Sequence, residues 1–425
     1  MIWLLGISFL LFLIMGIPVA FCLGISSLAC LFIKPDIPLL IIPQKMFSGT
    51  DSFPLMAVPF FMLAGSLMNR GGITKRLIRF SNILVGSIRG GLAMVNVVAS
   101  MFFAGITGAA VADTSAMGTI LIPAMVKERY DVDFSAAITA SSSTVGPIIP
   151  PSIPMIIYGV YAGVSIGKLF LAGIIPGVIL GFSLLGVAYI ISVKRGYPKG
   201  KKVGIREFFV TLKEASLALI MPVIIIGGIV FGIFTATEAA VVAVFYAFFV
   251  GFFVYGELKI KDLPHIIIES GITTSIIMLV IANASIFGWI IAHEQIPQKV
   301  ANLFLFFTHN KWLILLFINI FLLFVGTFLE TTASLIILTP ILLPLATSLG
   351  IEPIHFGIIM VLNLVIGLTT PPLGVCLFVA CSIAHISLEK ISRAIIPFLL
   401  TSIFVLFLVT YIPQLSLIIP LLIIK

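Results

Sequence analysis

The chain has 425 residues, 60% of them hydrophobic and 9% charged, with 24 Lys and Arg against 16 Asp and Glu for a net charge of +8. Soluble domains carry about 25% charged residues, so the composition excludes that class. The positive excess does not point to nucleic acid, because the basic residues gather in short loops between apolar runs, which is the orientation signal of a membrane protein.

Apolar stretches of membrane-spanning length recur from Trp3 to Leu415, and the short alternating segments of a membrane β-barrel are missing. An all-α polytopic membrane protein embedded in the lipid bilayer is therefore expected. The chain opens on "MIWLLG" with no basic stretch ahead of it, so a cleaved signal peptide is not expected and the N-terminus is placed on the outer face. Spans are predicted at 2–15, 18–33 and 54–69, the first two separated by Gly16-Ile17-Pro18. An amphipathic arm follows over 70–87; Arg70, Lys75, Arg76, Arg79 and then Arg89 place it at the cytoplasmic surface. Residues 89–127 make a long excursion that returns to basic Lys127 and Arg129. A broken span over 134–158 and a span over 164–193 close the first half.

The linker over 194–216 holds Lys194, Arg195, Lys199, Lys201, Lys202, Arg206 and Lys213 against Glu207 and Glu214, and is placed in the cytoplasm. Spans are then predicted at 217–235, 238–256 and 271–291, with an arm over 294–309. An excursion over 312–347, a broken span over 355–380 and a span over 394–415 complete the chain, and both termini fall outside. His265, His293, His309, His355 and His385 lie near span ends and are read as interfacial. Cys22, Cys30, Cys376 and Cys381 lie within apolar spans without metal-ligand spacing and are read as small buried hydrophobes.

Residues 1–193 and 217–425 read as two copies of one pattern. "ADTSAMGTILIP" (112–123) matches "LETTASLIILTP" (329–340), each with an acid ten residues before a proline. "AGSLMNRGGITKRL" (64–77) matches "FGWIIAHEQIPQKV" (287–300), and "GPIIPPS" (146–152) matches "GLTTPPL" (367–373). An odd number of crossings in each copy makes the topology inverted, which is a transporter signature. Allowing for a tip loop, each excursion leaves about 15 helical residues per leg, or about 22 Å at 1.5 Å per residue. That falls short of a hydrocarbon core about 30 Å thick. Two re-entrant hairpins are expected, with Gly105 and Gly108 freeing the first tip.

Non-helical backbone at membrane depth survives only when buried in protein or lining a wet cavity. Hydroxyls and proline-freed carbonyls are hard ligands of the kind a small alkali cation takes. Two tips facing two broken spans would thus give two similar cation sites. Asp113 and Glu330 are costly at depth, each about 2.5–3.5 kcal/mol on insertion scales. They read either as ion ligands or as N-caps of the second hairpin legs. No Lys or Arg lies within the clusters, so an anionic substrate would rest on helix N-termini, hydroxyls and the bound cations. Motifs of intramembrane or serine hydrolases are missing from the sequence, so an enzyme is not expected.

Taken together, "AGITGAAVADTSAMGTILIPAM" (104–125), "SSSTVGPIIPPSIPMIIYG" (141–159), "GTFLETTASLIILTPILLP" (326–344) and "GLTTPPLGVCLFV" (367–379) resemble the large membrane subunit of tripartite ATP-independent periplasmic (TRAP) transporters, the DctM-like family. The resemblance covers essentially the whole chain. It implies an elevator-type, sodium-coupled importer of an organic acid in a bacterial inner membrane, with sodium as coupling ion and no cofactor. It also implies two partners, a small four-helix membrane subunit on a separate polypeptide and a periplasmic substrate-binding protein. Carried onto this sequence, a first sodium site would use Asp113, Thr114 and Ser115 with Ser142, Ser143, Thr144 and Gly146. A second would use Glu330, Thr331, Thr332 and Ser334 with Asn363, Gly367, Thr369 and Thr370. The substrate, of the sialic acid or C4-dicarboxylate class, would sit between the tips at Thr114, Ser115, Thr331 and Thr332 with Pro150 and Pro371. A stand-alone ion or anion carrier of related fold, needing no binding protein, is the alternative.

Overall fold

The computed structural model describes residues 2–34, 37–200, 204–300, 308 and 310–423. The first half runs α1 (Ile2–Ile14), α2 (Val19–Ile33), α3 (Ile41–Thr50), α4 (Ala57–Arg70), α5 (Ile73–Val85), α6 (Gly91–Thr107), α7 (Ala110–Lys127), α8 (Val132–Ser142), α9 (Ile153–Ala162) and α10 (Ile166–Lys194). The second half runs α11 (Ile205–Val230), α12 (Ala236–Phe249), α13 (Leu263–His293), α14 (Lys311–Phe328), α15 (Thr331–Ser348), α16 (Pro353–Gly367), α17 (Val375–Ala384), α18 (Leu388–Tyr411) and α19 (Gln414–Ile423). Helices α6–α7 and α14–α15 are hairpins, and α8–α9 and α16–α17 are broken spans. The fold is an all-helical inverted repeat.

Local sequence explains where the helices stop and start. Between α8 and α9 the chain makes a single 3-10 turn at Ser143–Val145 and then enters "GPIIPPS", whose prolines cannot donate to a helical ladder. "TTPPLG" separates α16 from α17 in the same way. Helix α12 begins on a capping box, in which the Thr235 hydroxyl accepts from Glu238 N and the Glu238 carboxylate accepts from Thr235 N. Helix α16 begins on Glu352, which accepts from His355 N at 2.9 Å. Such caps contribute about 0.5–2 kcal/mol each.

The packing crosses between the halves in matched pairs. In the outer layer α2 packs on α13 and α4 on α12. In the inner layer α7 packs on α8 of its own half and on α17 of the other, while α15 packs on α16 of its own half and on α9 of the other. Each hairpin's second leg thus lies between the first part of its own broken span and the last part of the opposite one. The inner helices are the more enclosed: 67% of the apolar window of α15 is buried, against 28% for α11. Where α9 crosses α16 the backbones close tightly. The Tyr158 hydroxyl donates to Pro353 O at 2.7 Å, and a Cβ on Gly357 would fall 2.3 Å from the Tyr158 ring.

At the surface the arm α5 is strapped to the second half. Arg79 Nη1 donates to Glu214 Oε2 at 2.8 Å on α11. Arg76 Nη1 donates to Glu257 Oε1 at 2.6 Å, with its guanidinium 3.7 Å from the centre of the Tyr255 ring.

Several elements differ from the sequence expectation. Helix α11 starts at Ile205, inside the stretch expected as linker, because 205–216 supplies Glu214 to the arm and packs there as helix. Helices α3 and α19 are additional: α3 packs along α13 and bends 63° into the segment that contains α4, and Pro413 separates α19 from α18. The hairpin legs are longer than expected, 17 or 18 residues, and 18 residues reach about 27 Å. Leg length therefore does not decide re-entry. Of the arm expected over 294–309, only part lies within the described residues, with helix at 296–300. His355 is not interfacial but buried, its ring nitrogens 2.6 Å from Ser416 Oγ and 3.3 Å from Thr410 O.

Gly357→Ala is expected to lower the thermal midpoint in detergent, since overpacking a closed core costs about 1–3 kcal/mol. Gly271→Ala, where an added Cβ meets nothing within 4 Å, should leave it unchanged or raise it. Fluorescence-detected thermostability of the two variants measures the difference.

Candidate functional site

Each hairpin tip is pressed against the break of its own half. At Gly108, φ is +59°, and a Cβ there would meet Pro151 O at 2.9 Å and Ile153 N at 3.1 Å. In the second half Gly374 N donates to Thr327 O at 3.3 Å, and a Cβ on Gly367 would lie 2.5 Å from Gly326 Cα. Only glycine permits approaches this close. Pro150–Pro151 and Pro371–Pro372 are both cis.

In the first half Asp113 is 0% exposed, and among the described residues neither carboxylate oxygen has a hydrogen-bond partner. Gly146 lies beside it, an added Cβ there being 3.7 Å from Asp113 Oδ2. The next residue, Thr114, donates to Ser143 Oγ at 2.6 Å and so joins tip to break. Ser100 lies close to the carboxylate but donates to Ser142 Oγ at 3.2 Å. Ser142 in turn donates to Asn96 Oδ1 at 3.0 Å, and Asn96 Nδ2 donates to Thr139 Oγ1 at 2.6 Å. The Cys376 thiol, from the other half, lies against Thr114 and Ser143. Thr144 is buried but spends its hydroxyl on Ser141 O at 2.6 Å. Ser115 does not join the cluster. It faces a groove of about 340 Å³ against the outer layer, lined also by Ser66, Asn69, Thr119, Glu269 and Thr273.

The second half uses its acid differently. Glu330 is the N-cap of α15: Oε2 accepts from Thr332 N at 2.8 Å and Ala333 N at 3.3 Å, and Oε1 accepts from the Thr332 hydroxyl at 3.0 Å. Glu330 is also exposed. Asp113 is no cap. It sits a turn inside α7 with its own N–H bonded to Ala109 O at 3.1 Å. The two readings left open by the sequence thus divide between the two acids. Thr331 Oγ1, Ser334 Oγ and Asn363 Oδ1 are buried without a hydrogen-bond partner among the described residues. Asn363 Nδ2 is held by Asn319 Oδ1 at 2.7 Å and Asn319 O at 3.0 Å. Thr369 and Thr370 donate to Ile366 O at 2.9 and 3.0 Å, so their hydroxyl protons are committed to their own helix. Pro150 is buried and Pro371 half-buried.

Ser142 and Asn363 hold matching positions, four residues before Gly146 and Gly367, and each is bonded to the first leg of its own hairpin. Sequence reasoning missed the leg partners Asn96, Ser100 and Asn319, as well as Cys376. The available signal was an isolated amide or hydroxyl within an otherwise apolar leg. Buried oxygens are nearly always paired. Their unpaired members here lie beside the breaks in two clusters of oxygens, the kind of ligand a hard cation takes.

A family model described as the tripartite ATP-independent periplasmic transporter, DctM component, matches residues 6–415. The chain is 44% identical over 405 residues to the sialic acid TRAP transporter large permease protein SiaM of Vibrio cholerae, covering 95% of each. It is 43% identical over 399 residues to the C4-dicarboxylate TRAP transporter large permease protein DctM of Pseudomonas aeruginosa, covering 94% of this chain and 93% of that one. It is also 43% identical over 407 residues to the isethionate TRAP transporter permease protein DctMQ of Oleidesulfovibrio alaskensis, covering 95% of this chain and 64% of that longer one. Among solved structures, the YdaH transporter of Alcanivorax borkumensis superposes with a TM-score of 0.62 at 14% identity, over 88% of this chain and 87% of that one. This likeness is one of fold.

The two acids should respond differently when stability is measured without sodium. Glu330→Ala removes a cap and should lower the thermal midpoint, by the equivalent of about 0.5–2 kcal/mol. Asp113→Asn replaces a buried acid that caps no helix with a neutral amide of the same shape, and should leave the midpoint unchanged or raise it.

Proposed function

The chain belongs to the tripartite ATP-independent periplasmic transporter family as its DctM component, a multi-pass membrane permease and not an enzyme, and from that premise we propose that it imports an organic acid anion by sodium symport across a bacterial inner membrane. The observation that carries sodium coupling is the pair of tip-and-break clusters, in which buried side-chain oxygens have no hydrogen-bond partner among the described residues. In the first, Asp113, Thr114, Ser143 and Gly146 with the carbonyls of the break surround the ion, and Ser142 holds the break in place. In the second, Thr331, Ser334 and Asn363 with the carbonyls around Gly367, Thr369 and Thr370 do so. An inward sodium ion brings about 2.3 kcal/mol per 100 mV, besides its concentration gradient.

The substrate is an acid, as the names of similar permeases indicate: sialic acid, C4-dicarboxylate, isethionate and 2,3-diketo-L-gulonate. It lies between the tips at Thr114, Ser115, Thr331 and Thr332, bordered by Pro150 and Pro371. The N-terminus of α7 supports this placement, since its N-cap Ala109 makes no side-chain cap and uncapped N–H groups attract a carboxylate. The helices α6–α9 and α14–α17 move as an elevator against the outer helices, and the groove at Ser115 is the seam between them. A small four-helix membrane subunit completes the outer scaffold and a periplasmic binding protein delivers the acid, both termini of the chain facing the periplasm.

Uptake of radiolabelled N-acetylneuraminate and succinate into proteoliposomes, with and without sodium, small subunit and binding protein, tests this reading. Uptake of one acid is expected only with all three present. Thr114→Ala and Thr331→Ala should each shift the sodium concentration for half-maximal uptake upward while the protein stays folded. An unchanged sodium response in both variants removes those hydroxyls from the ion sites.

A further inference from the structure

The two pockets differ in one respect that bears on the order of events. The first contains a carboxylate with 0% exposure whose oxygens, Asp113 Oδ1 and Oδ2, accept no hydrogen bond among the described residues, the nearby Ser100 donating to Ser142 instead. In the second, both Glu330 oxygens are bonded to the start of α15, and the residue is exposed. The unpaired groups of the second pocket, on Thr331, Ser334 and Asn363, are neutral. We propose that the two coupling ions are unequal: the sodium ion beside Asp113 is resident and binds without substrate, and the ion at Thr331, Ser334 and Asn363 is held only once the acid anion is bound.

The reason is charge. A cation leaving water for a dry pocket loses its hydration, and neutral oxygens replace that only in part. An adjacent buried carboxylate adds a full opposite charge where screening is weak, and the same pairing removes the cost of burying Asp113 alone. The second pocket has no free buried charge, so its counter-charge must arrive with the substrate. The enclosure of the first pocket agrees with a resident ion. Thr114 donates to Ser143 at 2.6 Å, and buried Cys376 of the opposite half lies against both. The consequence for transport is an ordered cycle, in which one sodium ion precedes the acid and the other enters with it.

This inference rests on the sodium coupling proposed above, and binding of ²²Na⁺ to the full chain in nanodiscs separates the two. With no organic acid present, the wild type is expected to bind about one sodium ion per chain. Asp113→Asn, of the same shape, should weaken that binding by more than about tenfold, and Ser334→Ala should leave it within about twofold. Two ions of similar affinity per wild-type chain would overturn the inequality, whether or not the variants fold. Substrate-free binding retained in Asp113→Asn, or lost equally in Ser334→Ala, would also overturn it while leaving sodium coupling in place. A wild type with no saturable sodium binding would overturn both.

Discussion

A backbone amide or carbonyl facing hydrocarbon without a partner costs several kcal/mol, and this chain breaks its helices at depth four times. It does so at two tips and two proline-rich gaps; the first gap is largely buried, whereas Glu330, Pro372 and Leu373 at the second tip and gap are exposed. Gly108 presses on Pro151 and Ile153, and Gly326 on Gly367. The reciprocal packing of α7 on α8 and α17, and of α15 on α16 and α9, supplies the cover. Each break is thus packed both by the tip of its own half and, through the hairpin's second leg, by the opposite half.

That arrangement also explains why the polar chemistry lies where it does. Side chains in the first hairpin legs, Asn96 and Ser100 in one copy and Asn319 in the other, hold the broken spans in place by hydrogen bonds of 2.7–3.2 Å. These bonds leave other oxygens at the tips free to serve an ion. The outer layer shows a different logic. Exposed apolar side chains such as Phe209, Val223 and Phe245 face outward, while the ion pairs of Arg76 and Arg79 bind the arm to α11 and the chain after α12 at the water-facing edge. An inner body rich in oxygens thus sits inside an outer layer fixed by apolar contact and surface charge, with a polar groove between them at Ser115.

The copies have kept their shape while dividing their chemistry. Glu330 and Asp113 occupy matching places in the sequence, yet one carboxylate starts a helix while the other, with Ser100 nearby, accepts no hydrogen bond among the described residues. The offset is local. Asp113 is the fourth residue of α7, which starts at Ala110, whereas Glu330 stands just before the first residue of α15 as its N-cap.

By itself the sequence determined the membrane class, the inverted order of the elements, the two hairpins, the two broken spans and the polar clusters that mark them. Those properties follow from hydropathy, basic loops and proline, which act locally and can be read along the chain. Tertiary structure alone decided which acid caps a helix, which hydroxyls are committed to their own backbone, as at Thr144, Thr369 and Thr370, and that Ser115 faces the groove. It also decided that Cys376 of one copy closes the pocket of the other. A hydrogen bond depends on where the partner atom lies in space, and these partners come from segments up to 262 positions away, between Thr114 and Cys376, a distance that no local pattern encodes.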